Sequence, residues 1–399
     1  MSILSVTQAE TAINVQVPLL TPTSVGLRHL QGSVLAEAIY MERDQPPFNR
    51  VTMDGIAINS RTSLRDFRII GTQAAGSPPL SILQTDECIE VMTGAELPTG
   101  CDCVIPVEQI KRSDNRVELL NSAAMHPNLN VQLRGSDATQ GQLILQPGTR
   151  LSATEIAIIA SAGYRQAVVR PSPRIALVST GNELIEPGEA IKDWQIRRSN
   201  TYAIQAALQQ HGHRHVVDHH LVDDMTSMRN ALNPILADND VVILSGGVSM
   251  GKFDYVPQVL TDLGVQCIFH KVAQRPGKPL WFGLRSDGKT VYALPGNPVS
   301  TLICLHRYVL PGLLHSMGAN ASNSELIRLA HQVKTNADMT LFLPVTLCRQ
   351  NDTVQAITHP TRGSGDFISL LGTQGFVQLP QTAIPLEAGT EVPFYRWQS

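Results

Sequence analysis

The run DVVILSGGVSMGKFDY at residues 240–255 constrains the chain most, because it prescribes a strand, a tight turn and a helix start in immediate succession. Residues 241–244 are apolar and rich in β-branched side chains, which suits a strand buried on both faces. Gly246, Gly247 and Gly251 let the backbone turn sharply and approach a ligand with no Cβ in the way. Asp254 is placed to cap the following helix, with Pro257 tolerated in its first turn. Such a corner gathers backbone N–H groups and the positive end of a helix at one spot, a site for phosphate or another oxyanion. An ordinary βα loop, with glycines only for the turn, is the alternative reading.

The same alternation extends over residues 173–314. Residues 175–178 read as a strand, followed by the loop STGNELIEPG. Ser199 and Asn200 then cap a helix to about residue 210, closed at Gly212. A second strand at 213–219, a helix at 223–237, the strand at 241–244 and a helix at 254–263 follow. After them come an apolar run at 266–272, the segment RPGKPLWFG, a strand at 291–294, the segment ALPGNPVS and a helix at 298–314. Strands alternating with helices of these lengths predict a doubly wound α/β domain with a mostly parallel sheet, whose ligands gather outside the carboxyl ends of its strands.

The flanking sequence has other rhythms. SVLAEAIY at 33–40 is compatible with a helix turn or a linker, and DQPPFNRVTMDGIAI at 44–58 reads as an extended approach with a turn at Asp54-Gly55. From there to about residue 141, short apolar runs punctuated by Gly, Pro, Asn and Asp predict a small β-rich domain. Residues 151–163 carry a Ser152/Glu155 capping box and end at Gly163, a helix joining this part to the α/β domain. Beyond residue 317 the helices stop, and LIRLAHQV, LFLPVTLC and GFVQLP predict a small β-barrel or sandwich. The expected organisation is a linking and dimerisation domain (1–41 and 139–171), a β-rich cleft domain (42–138), an α/β domain (172–317) and a carboxyl-terminal barrel (318–399).

Composition excludes several functions. With 399 residues, 43% hydrophobic, 16% charged and a formal net charge of −3, the chain is globular and lacks the basic excess of a nucleic-acid binder. No apolar run approaches the ~20 residues that span a bilayer, and the first basic residue is Arg28, so a cytoplasmic location is expected. The six cysteines lack C-x-x-C spacing and read as reduced thiols. His211, His213, His215, His219 and His220 form a dense cluster; period two would set the first three on one strand face, and a polar, half-exposed strand is favoured over a metal site because no carboxylate or cysteine joins the row at ligand spacing.

The motifs PPFNRVTMDGIAI, TGAELPTGCDCVIPVE, RGSD, STGNEL, SGGVSMGKFD, RPGKP and LPGNPVS, in this order over nearly the whole chain, resemble the molybdopterin molybdenumtransferase family, which includes the carboxyl-terminal domain of gephyrin. The resemblance implies a homodimer that takes adenylated molybdopterin and molybdate, inserts the metal into the dithiolene and releases AMP with the help of magnesium. It further implies that the α/β domain carries the pterin nucleotide while the partner's β-rich domain closes the cleft, with Asp54 and Thr93 among the matching residues. Molybdopterin adenylyltransferase and molybdoenzymes are the protein partners it suggests.

The residue types suit that chemistry. A phosphoanhydride beside a molybdate dianion needs cations and backbone N–H groups. Lys271, Arg275 and Lys278 are candidates, with the loop containing Gly246, Gly247, Ser249 and Gly251, Pro279, and the corner formed by Pro295, Gly296, Asn297 and Pro298. Glu183, Asp254, Asp137 and Asp54 would orient magnesium or water, Glu183 and Asp254 being the metal candidates; Asp223 and Thr93 complete the catalytic set, and Ser300 could donate to molybdate oxygens. The chain departs from the family's pattern at Asn182 and Lys252, where acidic residues are usual, at Arg198 in place of an aspartate, at Arg275 in place of a lysine, at Val51 and Ile56 in the first cleft motif, and at Pro344 near an arginine position. The losses at 182 and 252 remove carboxylates, and Lys252 and Arg198 add positive charge. These changes support a second reading, a family member that binds the pterin nucleotide without magnesium-dependent turnover. A scaffold using the fold for protein contacts is a third.

Overall fold

The computed structural model describes residues 3–248, 254–320, 324–350, 353–359, 363 and 365–398. Ser249, Gly251 and Lys252 lie outside the described residues. The chain divides into two compact units, residues 1–37, 147–156 and 166–399 in one, and residues 38–146 and 157–165 in the other.

The first unit is built on a six-stranded sheet in the order Val216–Leu221, Ile175–Thr180, Val241–Ser245, Thr290–Leu294, Trp281–Arg285, Val265–His270. The first four strands run parallel, Trp281–Arg285 runs antiparallel to both its neighbours, and Val265–His270 at the edge again points the same way as the first four. Every residue of Ile175–Thr180, Val241–Ser245 and Thr290–Leu294 is buried, so these strands are apolar along their middles rather than alternating, with the buried polar residues Ser179, Thr180, Ser245 and Thr290 only at their ends. Their side chains still sort by parity. Ile175, Leu177 and Ile243 pack with the helix Asn200–Gln210 and with the amino-terminal helix Val6–Gln16, whereas Ala176, Val178, Val242 and Leu244 pack with Met228, Leu232, Val256 and Val259 on the other face.

Several sequence expectations are corrected here. The helix Val256–Asp262 has Tyr255, not Asp254, at its N-cap. The predicted strand at 213–219 is Val216–Leu221, so His211, His213 and His215 do not share a strand. His213 is instead buried, its Nδ1 2.8 Å from Ser172 Oγ. Among the described residues no group of three His, Cys, Asp or Glu side chains is arranged to hold a metal ion. The segment 33–40 contains the short strands Val34–Leu35 and Ile39–Tyr40 rather than a helix turn. The helix Val6–Gln16 was not anticipated, although Ser5 and Gln8 form a reciprocal capping box that the sequence spells out.

The segment 298–316 is helical as expected but passes through a π turn at Leu305–Val309. Leu310 N–H donates back to Leu305 O, and Pro311, with no N–H, follows immediately.

The carboxyl-terminal region is a closed barrel. Thr340–Gln350 pairs with Thr353–Thr358, which pairs with Glu325–Leu329, then Glu391–Arg396, then Gly375–Leu379, which returns to Thr340–Gln350. Closure removes free edges that would otherwise template pairing with another chain. The short strand Gln274–Arg275 joins in parallel to Thr340 and Leu341.

The second unit holds a six-stranded sheet in the order Cys103–Pro106, Gly55–Ile58, Glu87–Val91, Asp66–Gln73, Arg116–Leu119, Ile110–Ser113. Gly55 has no alternative, since a Cβ there would meet Ile105 O at 2.0 Å. The helix Ala153–Ser161 begins as expected, with Ser152 N–H donating to Glu155 at 2.9 Å, and Gly163 closes it in a left-handed conformation with φ +94°. Among the described residues no helix is long and apolar enough to cross a membrane.

Candidate active site

The strands Ile175–Thr180, Val241–Ser245 and Thr290–Leu294 end at a cavity of about 590 Å³. After Ile175–Thr180 the chain crosses to one side to form Val216–Leu221 and then to the other to form Val241–Ser245. The cavity lies at this switch point, where open α/β sheets take their ligands.

Its floor depends on glycine. Gly246 and Gly247 have φ +99° and +69°, and a Cβ on either would meet Thr180 O at 2.9 Å or Val256 Cγ2 at 2.7 Å, respectively. The Gly246 N–H donates to Leu294 O at 3.1 Å, so this turn is tied to the neighbouring strand end and that N–H is already spoken for. Gly296 approaches from the other side; a Cβ there would sit 3.7 Å from Gly246 Cα. The first turn of Asn200–Gln210 also lines the cavity and turns its positive end toward it.

Asn200 joins the walls. Its Nδ2 donates to Ser245 Oγ at 2.9 Å and to Gly296 O at 2.8 Å, linking a helix start to the ends of two strands. Sequence reasoning assigned Asn200 only a capping role, because nothing local reveals that a helix start will reach across to two other loops. Its Oδ1 and Thr180 Oγ1 are both buried with no hydrogen-bond partner.

Of the sequence candidates, the structure brings Glu183, Asp223, Asp254, Gly246 and Gly247 to the lining. Pro279, Pro295, Gly296, Asn297 and Pro298 complete the opposite wall. Asn182 and Asp223 are paired to each other, Asp223 N–H to Asn182 Oδ1 at 3.1 Å and Asn182 N–H to Asp223 Oδ2 at 3.4 Å. Lys271, Arg275, Lys278 and Ser300 are not on this lining. Lys271 takes a left-handed conformation with φ +93°, donating its N–H to Leu280 O at 2.9 Å and accepting from Leu4 N–H at 3.3 Å. Lys278 O accepts from Val272 N–H at 2.9 Å, Arg275 is paired with Leu341 of the barrel, and Ser300 is buried in the helix Pro298–Cys304.

In the second unit, Asp54 and Thr93 come together: Thr93 N–H and Oγ1 both donate to Asp54 Oδ1 at 2.7 Å. The N–H bond, followed by the hydroxyl bond, holds the Asp54 carboxyl below its ordinary range. Asp137 accepts from Gln132 Nε2 at 2.6 Å and from Ser136 Oγ at 3.2 Å.

Arg198 does not add free positive charge to the cavity, as the sequence suggested. Its side chain is 9% exposed and is bound by Glu186 at 2.7 Å and by Asp218. The described lining therefore sets three carboxylates, of Glu183, Asp223 and Asp254, against Arg197 and this neutralised Arg198. The donors present suit magnesium, which is typically held by one or two carboxylates together with substrate phosphate and water rather than by an all-protein cage.

The chain matches three family models in succession, the MoeA N-terminal region (domains I and II) over residues 4–163, the probable molybdopterin-binding domain over 176–315 and the MoeA C-terminal region (domain IV) over 327–397. It is 40% identical to a protein of Synechocystis sp. named molybdopterin molybdenumtransferase, over 99% of this chain and 100% of that relative. A Staphylococcus epidermidis protein of the same name is 32% identical over 92% of this chain and 90% of its own. The crystal structure of a molybdopterin biosynthesis MoeA protein from Pyrococcus horikosii superposes with a TM-score of 0.78 at 30% identity and covers 100% of both chains. With its α/β cavity, its closed barrel and a full-length relative of this similarity, the chain belongs to the molybdopterin molybdenumtransferase (MoeA) family.

Proposed function

We propose that this chain is a molybdopterin molybdenumtransferase that inserts molybdenum, supplied as molybdate, into the dithiolene of adenylated molybdopterin and releases AMP, the last step of molybdenum cofactor synthesis. The observation that carries this reading is the glycine-floored cavity at the switch point of the parallel sheet, in a chain alike over its whole length to proteins of that name. The helix start at Asn200 and the turn at Gly247 face the phosphates. Glu183 and Asp254 would hold a magnesium ion, which when bound neutralises phosphate charge and polarises the anhydride. Asp223, paired with Asn182, fixes the loop that presents Glu183.

Lys271, Arg275, Lys278 and Ser300 are assigned to the pterin and molybdate side, next to Pro279; Ser249 and Gly251 are kept as ligand-binding candidates on the sequence alone. In this reading the protein is a cytoplasmic homodimer in which the β-rich domain (42–138) of one copy closes over the α/β domain (172–317) of the other, bringing Asp54, Thr93 and Asp137 to the reacting groups. The segments 1–41 and 139–171 link and dimerise, and residues 318–399 form the barrel domain. Its substrate comes from a molybdopterin adenylyltransferase and its product goes to molybdoenzymes.

The purified chain mixed with adenylated molybdopterin and molybdate is expected to release AMP, faster with magnesium. No AMP above a protein-free control, with and without magnesium, overturns the assignment. Tight nucleotide binding by calorimetry without AMP release marks the chain instead as a binding member of the family.

A further inference from the structure

The wall that carries Glu183 is an arm rather than part of the sheet. Two short strands, Leu184–Ile185 and Ile196–Arg197, pair in parallel, with Ile196 N–H donating to Glu183 O at 2.8 Å and Arg198 N–H to Ile185 O at 3.0 Å. The tip between them is wet: Ile191 and Trp194 are 43% and 73% exposed. Leu184, Ile196 and Arg197 nevertheless form cavity wall. An arm with an exposed tip and a two-rung ladder needs another tether to hold a wall in place.

Arg198 supplies it. The guanidinium NH1 donates to Glu186 of the arm at 2.7 Å, while NH2 donates to Asp218 of the edge strand Val216–Leu221 and to Thr201 of the helix Asn200–Gln210 at 3.3 Å. Glu186 is gripped further by the Tyr202 hydroxyl, and its carbonyl accepts from Arg197 NH1 at 2.8 Å. One buried cation thus joins the arm, the sheet edge and the helix whose start lines the cavity. Its two partner carboxylates are 37% and 34% exposed, so the pairing is reached by water from the acid side only.

We propose that Arg198 is a positioning residue: it latches the arm of residues 184–197 onto the sheet edge and so fixes where Glu183 stands in the cavity. The consequence for turnover rests on the molybdenumtransferase reading; the latch itself does not. The planar fork reaches the two carboxylates from two separate nitrogens, whereas a lysine at this position has one, shorter-reaching nitrogen to share between them.

Hydrogen exchange of the full-length chain without substrate tests the latch directly. Arg198→Met is expected to raise exchange of the 184–197 amides about tenfold or more, with Arg198→Lys between it and the parent, while the sheet amides of 241–245 stay unchanged. Asp218→Asn, at a half-exposed partner, gives the same local signature should Arg198→Met fail to fold. Unchanged exchange of the arm in Asp218→Asn and Arg198→Lys overturns the proposal. Calorimetry with ADP and magnesium then reads the consequence: Arg198→Lys is expected to require about tenfold more magnesium for half-maximal ADP binding, since a displaced Glu183 serves the ion less well. A shift in ADP affinity that is the same with and without magnesium overturns the role in placing Glu183. A parent protein that binds no ADP at all counts against the function proposed above and leaves the exchange result to decide the latch.

Discussion

Gly246 is the position where backbone conformation and space act together, and the two can be separated by experiment. With φ +99° an L-side chain is strained, at a cost of about 1–2 kcal/mol. A Cβ would also meet the carbonyl oxygen of Thr180 at 2.9 Å and its Oγ1 at 3.1 Å, and the backbone atom cannot move without disturbing the buried strand Ile175–Thr180. Overpacking of that kind costs about 1–3 kcal/mol. Gly246→Ala is therefore expected to lose about 2–5 kcal/mol in total. Gly264 provides the control, having φ +79° and nothing within 4 Å of its ideal Cβ. Gly264→Ala carries the strain alone, and the restriction of the unfolded chain that accompanies Gly→Ala is common to both variants. Urea unfolding followed by tryptophan fluorescence reports the transition, since Trp281 is buried in this sheet. The midpoint of Gly246→Ala should fall below that of Gly264→Ala by the equivalent of about 1–3 kcal/mol at similar slope. Equal midpoints would refute the reasoning that the Thr180 carbonyl walls off this position.

Two further outcomes follow from buried charge. Burial lowers the His213 pKa from 6.5 to about 4, with smaller contributions from Arg150 and His211. The folded value lies below the unfolded one, so the unfolded chain takes up the proton first; stability is complete above pH 6.5 and declines as pH falls toward 4, by up to about 3 kcal/mol. His213→Gln should flatten that slope in pH-dependent urea unfolding, and a slope identical to the parent's contradicts the assignment. Arg307 is 5% exposed, donating to Glu10 at 2.7 Å and to Gln378 at 3.1 Å with its guanidinium over the Tyr395 ring. Glu10→Ala strands that cation and should cost about 3 kcal/mol, the lower end for a broken buried pair because the Glu10 side chain is 42% exposed. Arg307→Met leaves only the exposed carboxylate and should cost less; the reverse order in denaturant titration would contradict this account.

Strand and helix alternation was legible wherever burial dictated composition. Val241–Ser245 and Thr290–Leu294 are apolar but for Ser245 and Thr290 because both faces of the sheet are covered, and the barrel announced itself in short apolar runs between Gly and Pro. Weaker signals misled at the periphery. Val34–Leu35 and Ile39–Tyr40 are too short for any period to register, and the histidine row suggested a strand three residues before the ladder begins at Val216. Of the residues expected at the cavity, those on the strand-end loops do line it, because glycine and proline mark where the backbone turns tightly at the ends of the strands. Asn200 and the partners of Arg198 were not legible, since Gly296 and Asp218 reach them from distant parts of the chain. Sequence can name a charge such as Arg198, but whether that charge faces substrate or is cancelled by its neighbours depends on packing.

The short parallel pairing of Gln274 and Arg275 with Thr340 and Leu341 stitches the segment leading to Pro279 into the barrel wall. Gln274, fully buried, ties the other side of the segment to the α/β part: its Nε2 donates to Pro276 O at 3.1 Å, and its Oε1 accepts from the Tyr308 hydroxyl. The barrel is thereby a buttress for one side of the cavity. A chain trimmed back to its α/β part would keep the strand ends of the switch point and still lose both Gly365 of the cavity lining and the strand against which the Pro279 wall is braced.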